Sequence, residues 1–500
     1  MPASGYAWPA SVGDGDTFTI HASATDRVDI EVARVGAARD VVWRATDVEV
    51  GDHAVPSDAI ARGCDWPSCA AVTVDGWRSG YYEIVITAAG EPRHAASTSA
   101  FVVVRPRADT TNRVLVALST NTWYAYNDVG GGNCYTGEAI VSARRPLGRG
   151  LLDRDAGPGD RLAAATGPDP TMSAYRRHAR EQSLSLVCGS AGWWNWERVF
   201  VEWAEREGWA IDTVTNLDLE RHPEIVGRYP LVCSVGHDEY WTAGMRDTTE
   251  RYIAGGGNMA FLSGNTCYWQ VRFEDDDATM IAYKQRFERD PVYGTTREPE
   301  ITSIWSDRLI GRPENLLTGV SFVYGGYARI GRRSPSGPGG YIVHRPDHWL
   351  FEGTGLVYGD VLGASSTVVG YECDGCELSY VDGLPVPTGT DATPRDFVIA
   401  GSAPAQGFDR ATALLPLPEG DVGEIEFNAL RAFGEVTPAS MARASHGNAI
   451  LGSYVSSGGG TVVTAGCTDW TYGLRANDAQ VEQVTRNILT RLAGAPENGA

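Results

Sequence analysis

The sequence "YPLVCSVGHDEYW", residues 229–241, joins an apolar run directly to a cluster of charged and aromatic side chains. Its first half, 229–235, has the composition of a short strand that is buried on both faces. Its second half, 236–241, contains a histidine, two carboxylates, a tyrosine and a tryptophan. A surface turn does not need this much aromatic bulk, and a core does not tolerate this much charge. The stretch therefore predicts a buried strand that ends in a functional loop.

Strands with a similar apolar pattern occur on both sides of this stretch. They are 113–119 (RVLVALS), 210–214 (AIDTV), 258–263 (NMAFLS) and 461–466 (TVVTAG). Amphipathic helices are predicted between these strands or after them. The first is at about 195–207, the second is capped by Thr242 and continues to about Ile253, and the third begins at Asn477. Strands that alternate with amphipathic helices are typical of a parallel α/β sheet. We therefore predict an α/β main domain with a parallel sheet, of the Rossmann or glutamine-amidotransferase-like kind.

The first 108 residues have a different pattern. Segments such as 17–24 (TFTIHASA) and 81–88 (YYEIVITA) alternate apolar and polar residues, and Gly, Asp and Pro separate such segments. No helical stretch intervenes, which predicts a small Ig-like β-sandwich at 1–108. The predicted main domain is 109–500. Within it, residues 271–440 break the alternation of strands and helices, and we predict that they form a β-rich insertion.

The charge composition excludes several classes of partner. The chain has 42 basic and 63 acidic side chains and a formal net charge of −21. Because this charge repels phosphate backbones, a nucleic-acid partner is not expected.

No apolar run approaches the roughly 18 residues of a membrane span. The first residues also lack the basic and apolar regions of a signal peptide. A cytoplasmic protein that does not contact a membrane is therefore the expectation.

The nine cysteines are an odd number spread over a long chain, which argues against a disulfide framework. Cys373 and Cys376 form a lone CxxC pair, whereas a zinc ribbon requires a second pair at a suitable spacing. Free thiols or a local disulfide are therefore expected rather than structural zinc.

Four of the predicted strands are followed by loops rich in polar and aromatic residues. These loops are 120–127 (TNTWYAYN), 236–241 (GHDEYW), 264–269 (GNTCYW) and 467–473 (CTDWTYG). In parallel α/β sheets, ligands bind beyond the carboxyl ends of the strands. Four such loops at one sheet edge therefore predict a single pocket lined by them.

His237 and Glu239 are the most informative residues of these loops. In an extended segment they face the same way, because they are two positions apart. The carboxylate of Glu239 suits a metal ligand or a base, and a neighbouring histidine suits general acid–base catalysis near neutral pH. Two alternatives stay open: a buried His–Glu pair that only fixes the loop, and a thiol hydrolase in which Cys267 is the nucleophile and His237 its base. The sequence contains no G-x-S-x-G motif and no dinucleotide or NTP fingerprint.

Six motifs, in the same order along the chain, resemble the large (beta) subunit of bacterial N,N-dimethylformamidase. They are TNTWYAYN, GHDEYW, GGNMAFLSGNTCYWQVR, HWLFEGTGL, VVGYECDG and TAGCTDW. The resemblance covers roughly residues 113–495, and several motifs in one order are more specific than any single one. The N-terminal sandwich also looks like one found in members of this family.

The resemblance implies a hydrolase that cleaves a small N-substituted amide at a mononuclear iron, expected to be Fe(III), held by two tyrosines and one glutamate. The glutamate ligand corresponds to Glu239, and the tyrosine ligands are assigned to Tyr126 and Tyr135, with Tyr124 as the alternative. The catalytic residues implied are His237, Asn265 and Glu372. The family enzyme also has a separate small subunit. Whether this chain has one, or forms a homo-oligomer, stays open at this point, as does a non-catalytic binding protein on the same fold.

Overall fold

The computed structural model describes residues 3–89, 97–154, 179–329, 337–413 and 417–496. The strands of the first 104 residues are β1 (Ser4–Trp8), β2 (Ser11–Val12), β3 (Thr17–Ser23), β4 (Val28–Val35), β5 (Arg39–Val48), β6 (Ser68–Thr73), β7 (Gly80–Ala88) and β8 (Ser97–Val104). They form a three-stranded sheet, in the order β1-β3-β6, and a five-stranded sheet, in the order β2-β8-β7-β4-β5. One cluster of buried side chains, including Phe18, Val32 and Ile84, draws on both sheets. The domain boundary predicted at residue 108 remains a prediction.

The outer face of the five-stranded sheet packs against the rest of the protein. Tyr81 of β7 stacks on Trp193 with the ring centroids 4.1 Å apart, and Phe101 of β8 contacts Trp123 edge-on at 5.1 Å. A partly buried ion pair of 2.6 Å joins Arg34 to Glu205. A cavity of about 250 Å³ lies at this junction, and none of its lining residues belongs to the candidate site described below.

The later strands are β9 (Val114–Leu118), β10 (Ile140–Ser142), β11 (Ile211–Thr215), β12 (Leu231–His237), β13 (Tyr240–Thr242), β14 (Asn258–Gly264), β15 (Trp269–Glu274), β16 (Thr279–Ile281), β17 (Ser321–Tyr327), β18 (Tyr341–Val343), β19 (Val361–Leu362), β20 (Glu372–Gly375), β21 (Leu378–Val381), β22 (Leu384–Pro387), β23 (Val398–Gln406), β24 (His446–Val455) and β25 (Thr461–Thr464). The helices are α1 (Ala59–Arg62), α2 (Thr120–Tyr126), α3 (Glu197–Arg206), α4 (Asp218–Arg221), α5 (Ala243–Ala254), α6 (Asn315–Thr318), α7 (Glu424–Asn428), α8 (Pro438–Ser445), α9 (Thr471–Arg475) and α10 (Ala479–Ala493). In the described part of the chain, no helix is both long enough and apolar enough to cross a bilayer.

The prediction of a parallel-sheet, Rossmann or glutamine-amidotransferase-like α/β fold is wrong, because the central sheet is mixed. Its main path runs β11-β9-β12-β14-β25-β24-β23-β17-β20, with β18 and β19 attached beside it. The pairs from β11 to β25 are parallel, and those from β25 to β20 are antiparallel. Strands make up 31% and helices 22% of the residues that the structure describes, which is a strand-rich composition. The β-rich residues 271–440, predicted as an insertion, contribute β17, β18, β19, β20 and β23 to this same sheet.

The individual helices predicted for the main domain are confirmed, with small shifts at their ends. Helix α5 begins behind Thr242, whose hydroxyl accepts a hydrogen bond from the backbone N–H of Met245. Helix α10 begins behind Asp478 and buries the predicted apolar stripe, of which Val484 and Ile488 are members. The failure of the fold prediction therefore concerns how the sheet continues, not the local structure of these segments.

The carboxyl end of β14 tolerates only glycine where three chain segments meet. A Cβ added to Gly264 would lie 2.5 Å from the carbonyl oxygen of Glu372 and 2.5 Å from the backbone nitrogen of Thr468. Both neighbours are backbone atoms, so neither can rotate away. Gly264 is also paired in register with His237 of β12, so this close approach brings the ends of β12, β14 and β20 together.

We therefore expect Gly264→Ala to lower the free energy of unfolding by about 1–3 kcal/mol or more, the usual cost of inserting an atom into a packed core. Thermal unfolding followed by circular dichroism measures the change. Gly227→Ala is the matched control, because a Cβ at Gly227 meets no atom within 4 Å. Equal melting temperatures for the two variants would contradict the close approach at Gly264.

Candidate active site

Four chain segments bring the predicted site residues together beyond the carboxyl ends of β9, β12 and β14. Tyr126 ends helix α2, which follows β9 directly, and His237 is the last residue of β12. Asn265 follows the end of β14, and Glu372 is the first residue of β20. Residues His237, Glu239, Asn265 and Glu372 are each at most 3% exposed. The sheet thus assembles a buried polar cluster from positions far apart in the sequence.

The carboxylate of Glu239 is the centre of this cluster. It accepts hydrogen bonds from the hydroxyl of Tyr135, which lies 2.6 Å from both carboxylate oxygens, and from the indole N–H of Trp269 at 2.8 Å. Its backbone N–H donates to the hydroxyl of Thr122, which fixes the loop. Burial acts to raise the pKa of Glu239, but the charges of His237 and Lys284 and the Tyr135 hydroxyl outweigh it, so the pKa is lowered. Glu239 is therefore an ionised carboxylate in a buried setting.

His237 contacts hydrogen-bond acceptors through both ring nitrogens. Nδ1 donates to the carbonyl oxygen of Ser190 at 2.7 Å. Nε2 lies 2.5 Å from a carboxylate oxygen of Glu372 and 3.3 Å from one of Glu239. Because a carbonyl oxygen and carboxylates accept hydrogen bonds, this geometry requires a proton on each nitrogen. Burial acts to lower the pKa of His237, but the two carboxylates outweigh burial and raise it well above the usual value.

Asn265 is held in the left-handed region, with φ of +50°, a conformation that asparagine tolerates better than most residues. The carboxylate of Asp374 fixes this turn by accepting the backbone N–H groups of Asn265 and Thr266 at 2.9 and 3.0 Å. The side-chain amide of Asn265 then donates to Glu372 at 3.2 Å and lies 3.4 Å from Nε2 of His237. Within the described residues, its amide oxygen is buried without a hydrogen-bond partner.

The structure places two of the three candidate tyrosines in the cluster. The rings of Tyr126 and Tyr135 lie 4.5 Å apart, and the Tyr126 ring lies 5.5 Å from His237. Tyr124, the alternative, is on the other side of the short helix α2, with its ring 6.4 Å from Phe101. Burial, followed by the charge of Glu239, raises the pKa of Tyr126 and of Tyr135 well above the usual value.

Lys284 belongs to the same cluster and was missed by the sequence reasoning. Its ammonium donates to the hydroxyl of Tyr240 at 3.0 Å and lies 3.5 Å above the ring of Tyr135. Burial lowers its pKa, against the opposing charge of Glu239. A signal for it was present, because Lys284 is the single lysine among the 42 basic residues of the chain. The other 41 of these basic residues are arginines. A lysine at this one position therefore indicates that a compact ammonium group is needed there.

The cysteines do not take part in this cluster. The thiol of Cys267 is fully buried, and burial raises its pKa well above the usual value. In the part of the chain that the structure describes, no hydrogen bond joins it to His237. All nine cysteines are free, including Cys373 and Cys376, and the closest approach among the hydrogen-bonded thiols is 3.7 Å, between Cys373 and Cys467.

The oxygen atoms of this cluster could bind a hard metal cation only if tyrosine side chains serve as ligands beside Glu239. Among the described residues, no group of three or more His, Cys, Asp or Glu side chains has the arrangement of a metal site. Tyr135 and Glu239 direct their oxygens at each other over 2.6 Å, and Tyr126 packs beside them. Phenol and carboxylate oxygens are hard donors, the kind that a small, highly charged metal ion prefers. Tyr126, Tyr135 and Glu239 are therefore the residues that could hold such an ion.

The chain belongs to the family described as "N,N-dimethylformamidase beta subunit-like, C-terminal", whose model matches residues 29–483. The resemblance read from the sequence motifs is thereby confirmed. The N,N-dimethylformamidase beta subunit of Paracoccus aminophilus is 26% identical over 224 residues, which are 42% of this chain and 28% of that protein. The N,N-dimethylformamidase beta subunit of an Alcaligenes species is 25% identical over 242 residues, which are 44% of this chain and 30% of that protein. The alignments thus span less than a third of the length of these curated relatives.

The similarity of this chain to a solved structure is too weak to indicate a shared fold. A chain from the structure described as "Structural basis of T cell specificity and activation by the bacterial superantigen toxic shock syndrome toxin-1" aligns with 20% of this protein and 97% of its own length. The sequence identity is 13% and the TM-score is 0.15, a score at which the similarity does not support a shared fold.

Proposed function

We propose that this chain carries the active site of an amide hydrolase that cleaves the C–N bond of a small N-substituted amide. The observation that supports the proposal is the buried convergence of Tyr135, Glu239 and His237 in a member of this family. Each of these side chains is held by specific hydrogen bonds, as a preorganised active site requires.

The proposal includes a mononuclear ferric ion held by Tyr126, Tyr135 and Glu239. When bound, such an ion supplies Lewis-acid polarisation of the amide carbonyl and lowers the pKa of a water molecule. The buried carboxylate of Glu239 contributes the negative charge, and the Trp269 indole fixes one of its oxygens by a hydrogen bond of 2.8 Å. The ammonium of Lys284 adds positive charge beside the Tyr135 ring.

His237 and Glu372 carry the proton transfers in this proposal. As water attacks the carbonyl carbon, one water proton passes to the carboxylate of Glu372. Nε2 of His237 donates its proton to the amide nitrogen as the C–N bond breaks, which releases the amine. The contact of 2.5 Å between Glu372 and Nε2 then allows the proton to return to the imidazole. The carbonyl of Ser190 holds the ring through Nδ1 during both transfers.

Asn265 and the aromatic rings complete the proposed site. The second side-chain N–H of Asn265 would stabilise negative charge on the former carbonyl oxygen. The rings of Tyr126, Trp196 and Tyr371 lie 5.5 to 6.1 Å from the imidazole of His237. They limit the access of bulk water, which strengthens each electrostatic contact inside the site.

The geometry favours this function over two alternatives. A thiol hydrolase would need Cys267 beside His237, whereas the Cys267 thiol is fully buried and its thiolate is disfavoured. A non-catalytic binding protein would not need its ionisable groups to converge, yet the carboxylates of Glu239 and Glu372 both lie within 3.3 Å of Nε2 of His237. Because both matched relatives are named as beta subunits, we also propose that the chain works within a larger assembly.

Hydrolysis by the iron-loaded protein tests the proposed function. We expect amine release from small amides such as N,N-dimethylformamide, together with a visible absorption band from phenolate-to-iron charge transfer. The metal-free protein is the control, and it should be colourless and inactive. A colourless active protein with stoichiometric zinc would contradict the tyrosine–iron assignment. An iron-loaded protein that hydrolyses no small amide would contradict the amide hydrolase.

A further inference from the structure

Helix α7 packs against residues of the candidate site and brings a further carboxylate towards it. Phe427 of this helix lies 5.8 Å, between ring centroids, from Trp269, the residue that donates to Glu239. Asn428 accepts a hydrogen bond of 2.7 Å from the hydroxyl of Tyr268. The first residue of the helix, Glu424, therefore lies close to the cluster without being part of it.

A row of aromatic rings connects Glu424 to His237. The Tyr371 ring lies 6.1 Å from the imidazole, and the Tyr327 ring lies 5.8 Å from Tyr371. The hydroxyl of Tyr327 then donates to Glu424 at 3.4 Å. Tyr327 and Glu424 are partly exposed, whereas His237 is buried, so the row runs from the site towards solvent.

The carboxyl group of Glu424 has no positively charged partner among the described residues. Within the described residues it forms no ion pair with a lysine, arginine or histidine, and one of its carboxyl oxygens has no hydrogen-bond partner. This oxygen is buried although the residue as a whole is partly exposed, and a buried acceptor without a partner costs free energy until a donor reaches it. Burial, together with the charges of Glu372 and Glu239, raises the pKa of Glu424 to about 8. These surroundings disfavour the carboxylate form of Glu424, and a positively charged group that reaches it would offset the neighbouring charges and favour that form.

We propose that Glu424 determines specificity by binding a positively charged group on the amide nitrogen's substituent, so that the preferred substrates are short N-aminoalkyl amides. This inference rests on the proposed function, since it assigns a substrate class to the same site. The reacting amide would lie at His237, and its short substituent would point towards Glu424, on which the charges of Glu372 and Glu239 act directly. The ammonium end would then meet the carboxylate of Glu424.

The test compares two formamides of nearly equal size, N-aminoethyl formamide and N-propyl formamide, of which only the first is charged. Glu424→Gln keeps the side-chain volume and removes the group that can become a carboxylate when a cation binds beside it. We expect kcat/KM for the aminoethyl substrate to fall about 10-fold or more, the scale of a hydrogen bond to a charged group, while the value for the propyl substrate stays within about twofold. Glu426→Gln, on the same helix, is the matched control and should change neither value.

An equal effect of Glu424→Gln on both substrates, or none on either, would overturn the proposal. If the wild-type protein hydrolyses neither formamide, the proposed function fails, and calorimetric binding then decides the role of Glu424. Tighter binding of the aminoethyl compound that Glu424→Gln removes would support it. Equal affinities of the two compounds for the wild-type protein would overturn it.

Discussion

The Glu239→Gln protein is expected to lose most of its iron and to hydrolyse amides at least about a thousandfold more slowly than the wild-type protein, since an electrostatic element of the transition state is removed. A glutamine retains a single oxygen in place of the two that face Tyr135 and Trp269. It also removes the negative charge that faces the imidazolium of His237 at 3.3 Å. Iron per chain, the rate of amine release and the melting temperature are measured on the same preparation.

Glu314→Gln is the control for the loss of a buried carboxylate. Glu314 is fully buried, accepts a hydrogen bond from Ser306 and lies outside the cluster. Because burial raises the pKa of Glu314 to about 7, a neutral side chain at this position costs little. This variant should keep the wild-type iron content and rate. If Glu239→Gln kept both as well, the carboxylate would not be a ligand and the proposed site would be wrong.

The position of the site could be predicted because it depends on strand ends. Each buried strand is recognisable as an apolar run, and the residues directly after it must leave the sheet at the same edge as those of its parallel neighbours. His237 and Asn265 follow β12 and β14 in this way, and those two strands pair in parallel register. Local sequence therefore places these residues without knowledge of the complete fold.

The complete sheet could not be predicted in the same way. The alternation of strands and helices describes the chain from β9 to β14, and it says nothing about what pairs with β25. In the structure β25 forms an antiparallel pair with β24, which precedes it by a tight turn, and β23 then pairs with β24. Strand order in a mixed sheet depends on pairings between distant segments, which local periodicity does not encode.

Two parts of the site escaped prediction for different reasons. Ser190 acts through its backbone carbonyl, which every residue has, so its side chain carries no signal. Lys284 lies between strands of the β-rich region, far in sequence from the loops at the sheet edge, although its being the single lysine of the chain was visible. The choice between Tyr124 and Tyr126 required the structure, because residues two positions apart on a helix face different sides.

Replacing His237 by glutamine is expected to leave the iron content unchanged and to lower kcat by about 10²–10⁴-fold, the usual contribution of a general acid–base group. Glutamine can still donate one hydrogen bond to Glu372 or to the carbonyl of Ser190, so the loop is supported. It cannot release a proton to the departing amine nitrogen. Iron content and single-turnover rates are measured together with the melting temperature.

His348→Gln is the matched control, because this partly buried histidine has the opposite environment. Burial, together with Arg345 and Arg491, lowers its pKa to about 4, so it is neutral at neutral pH and cannot act as a general acid. Its Nδ1 instead accepts the backbone N–H of Leu350, and we expect unchanged kinetics. If His237→Gln lost iron as completely as Glu239→Gln, His237 would be a ligand. The side chains of Glu239 and His237 are in contact, so a change at either one can affect the other. If Glu239→Gln loses iron while His237→Gln keeps iron and loses rate, Glu239 binds the metal and His237 transfers the proton.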